Sequence, residues 1–348
     1  MKVNKKIIGE LEKCYSLAML HYKNKDHFLV AAEKVDKCYL YDLAGNCEET
    51  VWDGPGGAMT MVQVPGTDGQ FLATRKFYSP NDAKEASIVI VTPQGKDDWA
   101  VRTLVDLPFV HRFDILQAGG VNYLLACALK SEHEYRDDWR FPGKVFAAVL
   151  PEDLSGFDAE HPLELTELKS DMLKNHGYYR HQDGPAATSG IVSCEDGVYR
   201  FVPPRQAGGV WQIEELTKDA ASDALLFDIN GDGEEELCAI APFHGDTVKI
   251  YQKRDGKFVL DYTYAEKLEF LHAIFGGEIL GKPVWILGHR KGERYLLAFT
   301  YQDGKYQVQT LDQGCGAANV LHYTYEGKEV LIAANREINE IARYELTE

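Results

Sequence analysis

One short pattern recurs seven times along the 348 residues, and this repetition restricts the possible folds more than any other feature of the chain. Each copy reads as an apolar strand, a Gly or Asp turn, a second strand rich in Leu, Ala and Val, a gap, and a third strand rich in Tyr or Val. The copies start near Ser16, Ala58, His111, Thr188, Ser222, His272 and Asn319; AMTMVQVPGTDGQFLATRKF and HRFDILQAGGVNYLLACALK are two of them. Apolar runs this short, bounded by Gly, Asp, Asn and Lys, point to antiparallel hairpins, and helical periodicity is hard to find. Two β-sandwiches would also supply many short strands, but not the same strand-turn-strand order seven times.

The pattern predicts an all-β chain, a seven-bladed β-propeller forming one domain over residues 1–348. Successive starts lie between 34 residues (188 to 222) and 77 residues (111 to 188) apart, which places an insertion at about residues 131–187 between blades three and four. The last copy has room for only three strands, whereas KKIIGELEK precedes the first copy and alternates weakly like a strand. The N-terminal strand is therefore expected to complete the last blade, closing the ring so that no sheet edge stays open.

Charge narrows the partners. With 37 basic and 54 acidic residues the net charge is −17, so the long-range field repels phosphate backbones and anionic membranes. Nucleic acid and membrane are not expected partners. No apolar run reaches 18 residues and the first residues lack a stretch of signal-peptide length, which gives a cytoplasmic expectation. The seven cysteines contain no C-x-x-C pair and sit mostly in apolar runs such as LLACAL, as free thiols packed like small hydrophobes would.

In the fifth copy, Asp228, Asn230, Asp232 and Glu236 alternate with Gly231 and Gly233 in DINGDGEEEL, an arrangement that can wrap several oxygens around a hard cation. An EF-hand would need Glu at the twelfth position, where Ala239 stands. The loop resembles the FG-GAP or VCBS class of propeller repeat, whose D-x-[DN]-x-D-G-x-x-[DE]-L loop joins the first two strands of a blade. That resemblance implies a structural Ca²⁺ held by Asp228, Asn230, Asp232 and Glu236. The alternative is a hairpin loop that uses Asn-Gly and Asp-Gly for positive φ, without metal.

In a propeller the starts of first strands and the ends of second strands share one face. Those positions collect His111, Arg112, His272, Arg75, Lys130, His244, His289, Arg290 and Arg336, and the supposed insertion adds His176, Tyr178, Tyr179 and His181. Individually, a strand-end His is most often just hydrogen-bonded or solvated, and an aromatic most often fills a gap between blades. Their convergence, and the doublets His111-Arg112 and His289-Arg290, point to a basic basin for a small anion. Uronate sugars fit it: Arg can clamp the carboxylate, a neutral His can remove the C5 proton, and Tyr can protonate the leaving oxygen.

This assigns His111 and His289 as base or metal ligand and Tyr178 or Tyr179 as acid. Substrate recognition falls to Arg75, Arg112, Lys130, His176, His181, His244, His272, Arg290 and Arg336. No G-x-S-x-G, H-E-x-x-H or catalytic-Cys signature competes. The chain resembles propeller-fold polysaccharide lyases in architecture and basin chemistry, which implies β-elimination of a uronate-containing oligosaccharide. A transition metal held by basin histidines could replace the Arg clamp. A non-catalytic propeller that binds an anionic sugar or a protein partner is the second reading. A glycoside hydrolase is the third, with Asp223, Asp137 and Asp138 as its few candidate acids.

Overall fold

The computed structural model describes residues 1–348 and contains 28 strands in seven four-stranded antiparallel sheets, with one short 3₁₀ turn at Arg336–Ile338. No helix is long and apolar enough to cross a membrane. Blades one to six take their four strands consecutively, with innermost strands Cys14–Tyr22, Met61–Gln63, Val110–Ala118, Gly177–Gly184, Asp223–Phe227 and Leu271–Ile279. The seventh begins at Asn319–Tyr325, and its outer strand is Lys2–Glu10, paired with Glu340–Thr347 in the register Val3↔Leu346 and Ile7↔Ala342. The ring thus closes as the sequence predicts.

The second strand of each blade is covered on both faces by neighbouring blades. This is why runs such as LLACAL and ELCAIA are continuously apolar instead of alternating, and why Leu124–Leu129 and Leu237–Ala241 are buried throughout. The largest apolar cluster, 23 residues including Leu72, Ile88, Ile90, Phe113 and Leu124, lies between blades two and three. Six of the seven cysteines are buried and Cys47 is exposed; none is in a disulfide.

The closing strand is mostly exposed, so backbone pairing and a few side chains hold it. Lys5 reaches Asp312 at 2.9 Å and Glu340 at 2.7 Å. A Cβ on Gly9 would lie 2.3 Å from the Tyr41 hydroxyl of blade one, so only glycine allows that contact.

Blade four corrects the sequence reading. Its first strand is Gly177–Gly184, and Ala187–Cys194, read above as the first, is the second. GYYRHQDG escapes a hydrophobicity-based reading because an inner strand faces the channel and tolerates Arg, His and Gln. Residues 131–187 are accordingly not an insertion. They hold the two outer strands of blade three, Pro142–Val149 and Thr166–Met172, and the inner strand of blade four.

Removing residues 1–10 exposes the edge of Glu340–Thr347 and abolishes eight residue pairs. At about 0.5–1.5 kcal/mol net per backbone bond, the truncated chain should lose at least ~3 kcal/mol in denaturant unfolding and should self-associate. An unchanged unfolding midpoint would show that closure does not stabilise the ring.

Candidate functional site

The site is built where the inner strands begin. In blades one, three and six the strand pairing skips one residue, Tyr15, His111 and His272 respectively. Such bulges turn a side chain out of the ladder. Two positions earlier, Lys13, Phe109 and Phe270 adopt left-handed backbone angles (φ 53°, 60° and 62°), and Lys174 (φ 52°) does the same before His176. Four aromatic rings thereby meet in a row. Tyr15 lies 5.3 Å from His272, His272 5.2 Å from His176, and His176 4.5 Å from His111, centroid to centroid. His244, from the loop after Glu236–Ala241, covers the row at 4.7 Å from His176 and 5.8 Å from His272.

Hydrogen bonds to the next blade set the tautomers. Nδ1 of His111, His176 and His272 donates to the carbonyls of His176, Ser222 and Ala318 at 3.0, 3.1 and 2.7 Å. A carbonyl only accepts, so each Nδ1 carries a proton and each Nε2 is left as the acceptor nitrogen. Nδ1 of His176 also lies 3.0 Å from the buried Asp223 carboxylate. A Cβ on Gly177 would strike the Ser222 carbonyl at 2.3 Å, so glycine here lets blade four approach closely enough for that contact. Nε2 of His272 accepts from the Tyr15 hydroxyl at 3.0 Å, and Nε2 of His244 is 3.2 Å from Nε2 of His176. Burial first, then neighbouring charges, holds His111, His244 and His272 below the ordinary imidazole value, so these three are neutral at neutral pH.

The cations around this row are not equivalent. Arg290 is held by Glu337 at 2.8 Å, and Arg336 by Glu337 and Glu33. Lys130 is buried, donates to the Asp138 carbonyl at 2.8 Å and sits over Trp139, and burial lowers its pKa. Arg112 differs: its guanidinium donates to the Met59 carbonyl at 2.7 Å and the Tyr15 hydroxyl at 3.4 Å, with no carboxylate in contact, and its buried Nε has no partner. Arg75 ends its strand half-buried, outside this network.

Several predicted residues are not brought here. His289 pairs across from Leu271, packs on Tyr295 and bonds the Glu269 carbonyl, so it faces away from His272. Tyr178 and Tyr179 lie further along the inner strand; their hydroxyls donate to Asp114 at 2.9 Å and to the Gly276 carbonyl at 3.1 Å. Both line a cavity of about 730 Å³ between the inner strands, which runs from Thr60, bonded to the His111 carbonyl, to Gln182 toward the other end of the channel. His181 is at that end too, between Asp183 (2.6 Å) and Glu235 (2.8 Å). The cause is the misplaced start of blade four: along a strand that begins at Gly177, only His176 is at the basin. Nor do the hydrolase acids pair up, since Asp223 serves His176, Asp138 is bonded by Arg140 and Asp137 is exposed.

Tyr15 is the main residue missed from sequence. Its signal was position: Cys14-Tyr15-Ser16 occupies the place of Val110-His111-Arg112 and Leu271-His272-Ala273.

The acidic loop joins Asp223–Phe227 to Glu236–Ala241, at the end of the strand opposite the histidine row. Asp228 accepts from the amides of Gly231 (2.7 Å) and Gly233 (2.8 Å), Asn230 from Asp232 (2.8 Å), and Asp232 from Glu234 (2.9 Å). Burial, with Asp232 and Asp228 nearby, pushes the Glu236 carboxyl up to about 7.

No protein family matches the sequence, and no curated protein matches it. Solved structures share its architecture. Streptogramin B lyase is 12% identical, with 100% of this chain and 99% of that one covered at a TM-score of 0.57. The Cps50 (Swd1) β-propeller domain of Myceliophteria thermophila is 10% identical, with 99% and 100% covered at 0.58. A Bacteroides uniformis protein for which a 6-phosphogluconolactonase role has been put forward is 14% identical, with 97% and 93% covered at 0.53. At these identities the likeness establishes the β-propeller fold.

His181 supplies a pH test of the far end. Burial alone would lower its pKa, but Asp183 and Glu235 raise it from 6.5 to about 9. Its stabilisation is complete below the unfolded value and is lost as pH rises through about 9. His181→Gln should therefore cost roughly 2 kcal/mol at pH 7 and little at pH 10 in urea unfolding. An equal cost at both pH values would contradict the charged assignment.

Proposed function

We propose that the chain is a lyase that cleaves a small uronate-containing oligosaccharide by β-elimination at the mouth of the channel. The observation that carries this reading is Arg112, a guanidinium without a carboxylate partner beside the Tyr15 hydroxyl and next in sequence to His111. The roles follow from chemistry. Arg112 takes the substrate carboxylate, which makes the C5 proton acidic. His111 accepts that proton at Nε2, the C5 electron pair becomes the C4=C5 double bond, and the C4–O bond breaks. Tyr15, which burial keeps protonated, gives its proton to the departing oxygen.

Substrate binding also tunes the base. After burial and His176, Arg112 is among the charges that hold His111 down, and a bound carboxylate offsets it. That streptogramin B lyase shares the fold supports the class without supplying the substrate. A structural Ca²⁺ in the Asp228–Glu236 loop belongs to this reading. Its support is the resemblance of the loop and the raised Glu236 carboxyl, which a cation would relieve.

Incubation with a panel of uronate oligosaccharides should produce the ultraviolet absorbance of an unsaturated product. Tyr15→Phe should lower kcat by about 10²-fold or more with the melting temperature retained, and His111→Ala should lower kcat at least as much while also lowering the melting temperature, because it leaves the buried His176 carbonyl unpaired. Arg112→Lys should raise KM, because a point charge does not replace a bidentate clamp. If the panel gives no absorbance but a sugar acid binds in calorimetry and Arg112→Ala abolishes that binding, the chain is a binding propeller and the elimination reading is overturned.

A further inference from the structure

We infer that His176, His244 and His272 form a three-imidazole site for one divalent transition-metal ion, with Asp223 as the outer partner that orients His176. The donor atoms of these three residues all lie within 4.8 Å of one another. Two ligands of a tetrahedral ion with bonds of about 2.0–2.1 Å stand roughly 3.3 Å apart. The His176 and His244 Nε2 atoms are already at 3.2 Å, so His272 alone has to draw closer, releasing the Tyr15 hydroxyl as it does.

Two of the three imidazoles are held from behind in the way a metal ligand requires. His176 gives its Nδ1 proton to the Ser222 carbonyl and Asp223, and His272 gives its own to the Ala318 carbonyl. Such partners fix the tautomer and raise ligand basicity. His244 has no such bond but is stacked between Phe243 (4.0 Å) and Phe270 (4.2 Å), which fixes the plane of its ring. It stands in a tight turn where a Cβ on Gly245 would meet the Ala241 carbonyl at 2.1 Å.

The fold does not demand histidine here. Ser222 and Ala318 precede the inner strands of blades five and seven as His176 precedes that of blade four, each amide bonding the partner strand in the same way. Small residues therefore satisfy the backbone at this position. Three imidazoles from blades four, five and six, converging without a carboxylate among the ligands, match the preference of zinc and its first-row neighbours over calcium or magnesium. The nearby Arg112 and Arg290 oppose a dication; Asp223 on His176 and Glu337 on Arg290 offset them.

The site goes beyond the elimination reading and is tested without any sugar. A loaded ion would keep a position open toward the basin, where it could act as a Lewis acid on the carboxylate that Arg112 anchors. The test is calorimetric titration of the chelator-stripped full chain with Zn²⁺, together with the visible spectrum of the Co²⁺ form. One ion per chain should bind, with the intense bands of a tetrahedral cobalt centre. His244→Ala, on a half-exposed loop, should abolish binding, and Asp223→Asn should weaken it about 10–100-fold. His21→Ala, at an exposed imidazole on blade one, should leave it unchanged. Absence of binding to the stripped chain, or binding that survives His244→Ala, overturns the inference. Stoichiometric binding without elimination leaves the metal site standing and removes the lyase reading alone.

Discussion

Everything in the basin depends on a set of hydrogen bonds that cross from one blade to the next. The Nδ1 atoms of His111, His176 and His272 each donate to a carbonyl at the start of the following blade's inner strand. Each bond satisfies a buried backbone acceptor, which would be costly if left unpaired, and ties two blades at the channel mouth. The same bond decides which nitrogen faces the axis. Stability and the orientation of each imidazole are therefore set by one contact: a ring that flipped would both orphan a carbonyl and turn its lone pair away from its neighbours.

The electrostatics follow from that scaffold. The chain carries −17 overall, yet the mouth gathers neutral imidazoles and guanidinium groups. Most of this positive charge is internally spent. The chain Arg290, Glu337, Arg336, Glu33 spans blades six, seven and one as a balanced network, leaving Arg112 as the guanidinium beside the row with no carboxylate of its own. On the proposed reading, a single free guanidinium next to neutral bases would suit a small monoanionic group better than a polyanion, and the repulsive exterior would act in the same direction.

The fold was legible because propeller blades are repetitive and their middle strands are continuously apolar. Closure by KKIIGELEK was readable for the same reason, since an unpaired edge has to be covered. Blade four was misread because its inner strand, with Arg180, His181 and Gln182, looks like a loop by composition. That one misplacement carried Tyr178, Tyr179 and His181 to the wrong end of the channel. His289 failed for another reason: strand alternation put it opposite Leu271, and a bulge at His272, invisible to a simple period-two reading, broke the symmetry of the doublet. Tyr15 was hidden by starting the first copy one residue late, at Ser16. What the sequence did expose was that His111, Arg112, His244 and His272 lie near one another, because His and Arg at strand starts stand out against apolar runs.

The most direct measurement is long-range ¹H–¹⁵N correlation of the histidine side chains in the metal-free protein. The account predicts that His111 and His272 are neutral, carry their proton on Nδ1, and keep that state from pH 6 to 8, since burial holds both below the ordinary imidazole value. Protons found on Nε2 of these residues, or ordinary titration near pH 6.5, would mean that the row does not present its lone pairs to the channel, and the site described above would not exist.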